Sequence, residues 1–134
     1  MTDVAPGHWQ VTADNSGLAR LQQQAAAWLD GAGVAARCAQ HVLLALDELA
    51  ANVVQHGVGA SWISLRLALD ADAIELELHD DGVAFDPTGH AVSAAAAPTL
   101  GGYGLKLVRQ LACAFEYARA ADNCVRLRLA CERD

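Results

Sequence analysis

Three short segments of this sequence carry residue types that can do chemistry. In the run Leu46 to His56, a carboxylate, an amide and an imidazole recur every fourth residue, as Glu48, Asn52 and His56. On a helix these three lie within an arc of about 80°. Val42, Leu46, Leu49 and Val53 fill the adjacent arc, so one side packs inward and the polar side stands beside it. A carboxylate there can take a proton from a hydroxyl nucleophile, and an amide oxygen is a hard ligand suited to a divalent cation. Asp47 points about 100° away from Glu48 and is read as a non-catalytic neighbour. The second segment is Leu78-His79-Asp80-Asp81-Gly82-Val83-Ala84-Phe85-Asp86-Pro87. A carboxylate fixed at a strand end can accept a hydrogen bond from an exocyclic amine such as adenine N6, and would reject guanine, which carries an acceptor there. Gly82 would let the backbone approach a flat base; Asp81 is the weaker carboxylate of its pair. The third is Gly101-Gly102-Tyr103-Gly104-Leu105-Lys106. Glycines opening a helix place free N–H groups where an anion can sit. Alone, each segment also has an ordinary reading: a solvated helix face, a turn, a loop–helix junction.

The elements that must position these residues follow from hydrophobic periodicity. His8–Thr12 reads as a short strand. Leu18, Leu21, Ala25, Trp28 and Leu29 recur at helical spacing after a Ser16 cap, with Gly31 and Gly33 as the stop. A longer helix runs from about Val34 to His56. The period then changes to two. Ile63, Leu65, Leu67 and Leu69, and then Ile74, Leu76 and Leu78, alternate with polar residues across the turn Asp70–Ala73, which predicts an antiparallel hairpin. Helix resumes over Gly104–Cys113, and strands close the chain at Phe115–Tyr117 and Cys124–Leu129. The span from Asp80 to Gly102 has no sustained period, and unstructured stretches of that length are commonly lids or binding loops. Arg66, Glu75, Glu77, Arg126 and Arg128 fall on the wet side of the strands. The fold class is α+β: a two-layer sandwich with a mostly antiparallel or mixed sheet and helices on one face.

Composition bounds the rest. The chain has 134 residues and a net charge of −7, which suits one domain over residues 1–134. The acidic balance argues against nucleic acid or an anionic membrane as partner. Of the 54% hydrophobic residues many are small, since 29 are alanine and aromatics make up only 5%. No apolar run approaches the ~20 residues of a membrane span, and the N-terminus lacks the basic start and apolar core of a signal peptide. Cys38, Cys113, Cys124 and Cys131 show no Cys-x-x-Cys spacing, so the expectation is reduced thiols in a cytoplasmic protein, with neither a zinc site nor a disulfide framework.

The order of the three segments resembles the histidine-kinase-like ATPase superfamily over roughly Ala35–Leu129. Glu48, Asn52 and His56 match Glu-x-x-x-Asn-x-x-x-His of its N box. Asp80 and Gly82 match Asp-x-Gly of its G1 box, and Gly102 and Gly104 match Gly-x-Gly of its G2 box. In detail, Asp-Glu-Leu-x-x-Asn-x-x-x-His-Gly, Asp-x-Gly-x-x-Phe-Asp-Pro and Gly-Gly-x-Gly-Leu resemble the anti-sigma-factor serine kinase branch. The resemblance implies ATP and Mg2+ as cofactors. Asn52 would ligate the Mg2+, Asp80 would read the adenine amine, and Gly82 would give it room. Gly102, Tyr103, Gly104 and Leu105 would offer backbone N–H groups to the phosphates. Lys106 would add charge to them, His56 would support the loop after its helix, and Glu48 would be the general base. Residues of about 84–102 would form the ATP lid, and its stretch from Ala91 to Ala97 holds five alanines.

Two functions are consistent with those boxes. The first is a protein kinase that passes the ATP γ-phosphate to a serine or threonine of a STAS-type anti-anti-sigma protein. The second is a module that sequesters a sigma factor or another regulator and uses nucleotide only to change shape. A complete histidine kinase core would need a phosphoaccepting hairpin upstream, and only ~15 residues precede the first helix. A metal hydrolase finds no His/Cys cluster with ligand spacing. The phosphoacceptor is therefore expected on another protein. The branch often dimerises, so a homodimer is a further expectation of the resemblance.

Overall fold

The structure, a computed structural model, describes residues 4–56, 58–88 and 100–131. In chain order the elements are β1 (Gly7–Thr12), α1 (Asn15–Ala32), α2 (Ala36–His56), β2 (Trp62–Asp70), β3 (Ala73–Asp80), α3 (Leu100–Leu111), β4 (Ala114–Arg119) and β5 (Asn123–Ala130). The five strands form one sheet in the order β1-β2-β3-β5-β4. Among the described residues every neighbouring pair is antiparallel, so the expected sandwich is of the antiparallel kind. α1 and α2 pack on one face of this sheet, and α3 packs against α2.

Strand alternation explains why the helices sit on that face. Ile63, Leu65, Leu67, Ile74, Leu76, Leu78, Val125, Leu127 and Leu129 all point inward and are buried. They meet Leu21, Ala25 and Leu29 of α1 and Val42, Leu46 and Leu49 of α2 in one continuous core, which Leu105 and Val108 of α3 join. The other face is polar. Arg128 Nη1 pairs there with Asp70 at 2.8 Å and with Glu75 at 2.6 Å, and such exposed pairs each stabilise by only about 0–1 kcal/mol.

Several local details differ from the periodicity reading. α1 is capped by Asp14, whose carboxylate accepts from the Gly17 N–H at 2.7 Å, rather than by Ser16. A carboxylate on the residue just before the helix reaches its third free N–H, which a residue already inside the helix cannot do. Gly31 lies within α1; the stop is Gly33, in the left-handed region at φ 71°. α3 begins at Leu100, four residues before Gly104. Cys38 and Cys131 form a disulfide across a Cα–Cα distance of 5.4 Å, which corrects the expectation of four reduced thiols. The pairing joins the first turn of α2 to the end of β5 over 93 residues of sequence, so no local spacing could signal it.

The start of α1 is tight. A Cβ on Gly17 would stand 1.8 Å from the Thr12 backbone oxygen, and backbone must then shift. Gly17→Ala is expected to destabilise the protein by about 1–3 kcal/mol, seen as a lower urea midpoint at unchanged slope. A midpoint equal to wild type would contradict the close approach.

Candidate functional site

α2 carries the first segment as a single helix, so Glu48, Asn52 and His56 do lie one above the next. Their burial is graded. Asn52 is buried at 5% exposure, Glu48 is half-buried and His56 is exposed. The Asn52 Nδ2 has no hydrogen-bond partner. An unsatisfied buried N–H donor costs about 1–3 kcal/mol, and such a group calls for an acceptor, such as a ligand oxygen, as partner. Burial pushes the Glu48 carboxyl above its ordinary pKa, and the neighbouring Asp47 charge adds to that. Asp47 itself is exposed and faces α1, where Gln22 Nε2 donates to it at 3.3 Å. The His56 ring stacks on Phe85, with centroids 6.2 Å apart and planes 22° from parallel.

Asp80 ends β3 on the inner, helix-covered side, and is 8% exposed. Its Oδ1 accepts from the Gly82 N–H at 2.9 Å and from Asn123 Nδ2 at 3.0 Å. Both bonds converge on one oxygen; among the described residues no hydrogen bond reaches Oδ2. The carboxylate is thus held in place while keeping an open acceptor, which is what reading an amine requires. Gly82 is buried in the turn this creates.

Asn123 and Arg119 are absent from the sequence reading. Asn123 is 2% exposed and sits opposite Asp80 in the β3–β5 register. Besides Asp80, its Nδ2 donates to the carbonyls of Gly82 at 3.2 Å and Val83 at 2.9 Å. Its Oδ1 accepts from Tyr117 Oη at 2.5 Å and Arg119 Nη1 at 3.0 Å. Arg119 also donates to the Gly82 carbonyl at 2.7 Å. A signal was available: Asn123 has the inward parity of Val125, Leu127 and Leu129, and an amide at an apolar position needs a partner.

Asp81 points the other way and is structural. It accepts from the backbone N–H groups of Ser61 at 2.7 Å and Trp62 at 3.0 Å, and from the Ser61 hydroxyl. These bonds, led by the Ser61 side chain, lower its pKa from 3.8 to about 2. A depressed folded pKa stabilises the fold above the unfolded value and loses that contribution as pH falls through the folded one. The melting-temperature gap between wild type and Asp81→Asn should therefore be full at neutral pH and close as pH falls from 3.8 through about 2. A gap that persists undiminished in acid would contradict this.

α3 contributes the third segment. Gly102, Tyr103, Gly104, Leu105 and Lys106 all lie within the helix. A helix that starts at Leu100 leaves its first four N–H groups without an intrahelical carbonyl, through Tyr103. The amides of Gly104 and Leu105 fall beyond that set, unlike those of a loop leading into a helix. The Leu105 side chain is in the core and Lys106 is exposed. Of the expected lid, residues 84–88 and 100–102 are described, and the alanine-rich part lies outside the described residues. Its first end is tied to α3, since Arg109 Nη2 donates to the Pro87 carbonyl at 3.5 Å and to that of Thr88.

Residues 11–129 match the family described as the histidine kinase-like ATPase domain. No curated protein matches the chain significantly. Among solved structures, the RsbU and RsbW domains of Rv1364c from Mycobacterium tuberculosis superpose with a TM-score of 0.72 at 18% identity, over 97% of this chain and 33% of that one. The blue-light activated histidine kinase EL346 of Erythrobacter litoralis gives 0.55 at 18% identity, over 72% of this chain and 31% of that one. The histidine kinase domain of the same protein gives 0.54 at 18% identity, over 86% and 59%. At such identity the likeness is one of fold. The chain spans a third of the length of the first of these structures. Among the described residues no helix is long and apolar enough to cross a membrane.

Proposed function

The chain belongs to the histidine kinase-like ATPase domain family, and from that premise we propose that it binds ATP with Mg2+ and transfers the γ-phosphate to a serine or threonine of a small STAS-type regulatory partner. The observation that carries this reading is the buried Asn52, whose Nδ2 donor lacks an acceptor, one turn after a half-buried Glu48 of raised basicity on the same helix. Asn52 would hold the cation through its Oδ1, leaving the Nδ2 donor for a phosphate oxygen. Asp80, fixed through Oδ1, accepts the adenine amine through Oδ2. The free amides at the start of α3 face the phosphates, and the α3 dipole favours that negative charge. In an acidic chain these neutral donors do work that lysines do elsewhere.

In the transfer, the partner's hydroxyl oxygen bonds to the γ-phosphorus as the bond from phosphorus to the ADP oxygen breaks. The hydroxyl proton goes to Glu48. Positioning and electrostatics supply most of the rate in such reactions. The proteins named in the structural likenesses include an RsbW domain and a histidine kinase, which supports a kinase-type reading without naming the acceptor.

Calorimetry with ATP and GTP tests the base site. Wild type should prefer ATP, and Asp80→Asn should bind it about 10–100-fold more weakly, the value of a hydrogen bond to a charged group. Equal affinity for both nucleotides would contradict the role of Asp80. Labelled ATP with a STAS-type partner tests transfer. ATP binding with no label on the partner would remove the kinase reading, and partner capture surviving Glu48→Ala but not Asp80→Asn would favour nucleotide-dependent sequestration.

A further inference from the structure

On the sheet face opposite Asp80, three side chains from β3 and β5 converge. Glu77 and His79 stand two residues apart on β3 and so share a face. Cys124 is the register partner of His79 on β5. One ligand atom from each lies within 4.8 Å of the others. Glu77 Oε1 is 2.7 Å from His79 Nε2 and 3.8 Å from Cys124 Sγ. The other imidazole nitrogen, Nδ1, is 3.0 Å from Asp122 Oδ1. Glu77 and His79 are half-buried, and Cys124 is 8% exposed.

From this convergence we propose a transition-metal site of the Zn2+ class, with Glu77 Oε1, His79 Nε2 and Cys124 Sγ as protein ligands and the fourth position open to water. Thiolate, imidazole and carboxylate together select Zn2+ and its neighbours over Mg2+ or Ca2+. Tetrahedral bonds of about 2.0–2.3 Å put ligand atoms some 3.3–3.8 Å apart, so the Glu77–His79 contact, at 2.7 Å, must open to admit the ion while the Glu77–Cys124 separation, at 3.8 Å, already fits. Asp122 is a positioning residue. A carboxylate on Nδ1 fixes the tautomer that leaves Nε2 as the metal-facing lone pair, the arrangement common to metal-bound histidines. The charges also balance. Cys124 binds as thiolate and His79 through Nε2, so the thiol proton and the proton between Nε2 and Glu77 both leave to buffer; the thiolate, Glu77 and Asp122 then face the cation and Arg126, whose Nε is 3.8 Å from Glu77 Oε2. The sequence shows only the Glu-x-His half; the cysteine is 45 residues on from His79 and is brought in by the strand register. This site is independent of the nucleotide reading.

Cobalt titration of the intact, oxidised, nucleotide-free chain tests it. One equivalent of Co2+ should give thiolate-to-cobalt charge-transfer absorption that Zn2+ displaces. Cys124→Ser should abolish that absorption, and Cys113→Ser, which changes the exposed free cysteine, should retain it. Asp122→Asn should weaken Co2+ binding about tenfold with the charge-transfer band preserved. It also covers the case in which Cys124→Ser fails to fold. No charge-transfer band in the folded wild type, a band surviving Cys124→Ser, a band lost in Cys113→Ser, or unchanged affinity in Asp122→Asn would each overturn the proposal.

Discussion

Glu48→Gln is expected to slow phosphotransfer by about 10²–10⁴-fold while leaving ATP affinity within about twofold. The substitution keeps the shape of the side chain and removes its capacity to accept a proton. Half-burial holds the Glu48 carboxyl above its ordinary 4.5, with Asp47 contributing the second push. A base of raised pKa is deprotonated, and hence active, only above that value. The wild-type rate should therefore fall as pH drops, with its acid limb above 4.5, and the limb should vanish in Glu48→Gln. Asp47→Asn should move the limb downward without abolishing activity, because it removes a repulsive charge and no catalytic group. Single-turnover transfer at saturating ATP separates the chemical step from binding. Full-rate transfer by Glu48→Gln would dismiss Glu48 as the base.

How far the sequence reveals this molecule depends on the range of the interaction involved. The alternation of Ile63 to Leu69 and Ile74 to Leu78 exposes the β2–β3 hairpin because strand parity is a local property. The i, i+4, i+8 spacing of Glu48, Asn52 and His56 is legible for the same reason. The start of α3 is not, because glycines weaken helix propensity and Gly101 and Gly102 read as a loop; the structure nonetheless extends α3 back to Leu100. The Cys38–Cys131 bridge, the Cys124–His79 approach and the Arg109 tie to Pro87 join residues from distant parts of the chain. Each depends on strand order or helix docking, which periodicity does not encode. Asp80 was legible as a strand-end carboxylate, but what aims it was not.

The group that holds Asp80 from the side is Asn123, whose Nδ2 donates to its Oδ1. Asn123→Ala is expected to destabilise the fold by about 3–4 kcal/mol and to weaken ATP binding about 10–100-fold. Truncation removes the donor to Asp80 Oδ1 and to the carbonyls of Gly82 and Val83, and the acceptor for Tyr117 and Arg119. Gly82 keeps its own N–H on Asp80 and its carbonyl on Arg119, so the turn survives but the carboxylate loses its lateral support. Stability loss alone could weaken binding, so a second substitution separates the two effects. Asn123→Asp keeps an acceptor for Tyr117 and Arg119 but sets a second carboxylate where the amide stood 3.0 Å from Asp80 Oδ1. Two carboxylates that close favour holding one proton between them, which raises an apparent pKa of the pair. Folded Asn123→Asp should therefore bind ATP more weakly than wild type, with an affinity that depends more steeply on pH. Denaturant titration and calorimetry across pH measure both quantities. Wild-type ATP affinity in folded Asn123→Ala, or a pH-independent wild-type affinity in Asn123→Asp, would show that Asp80 does not need Asn123 to aim it.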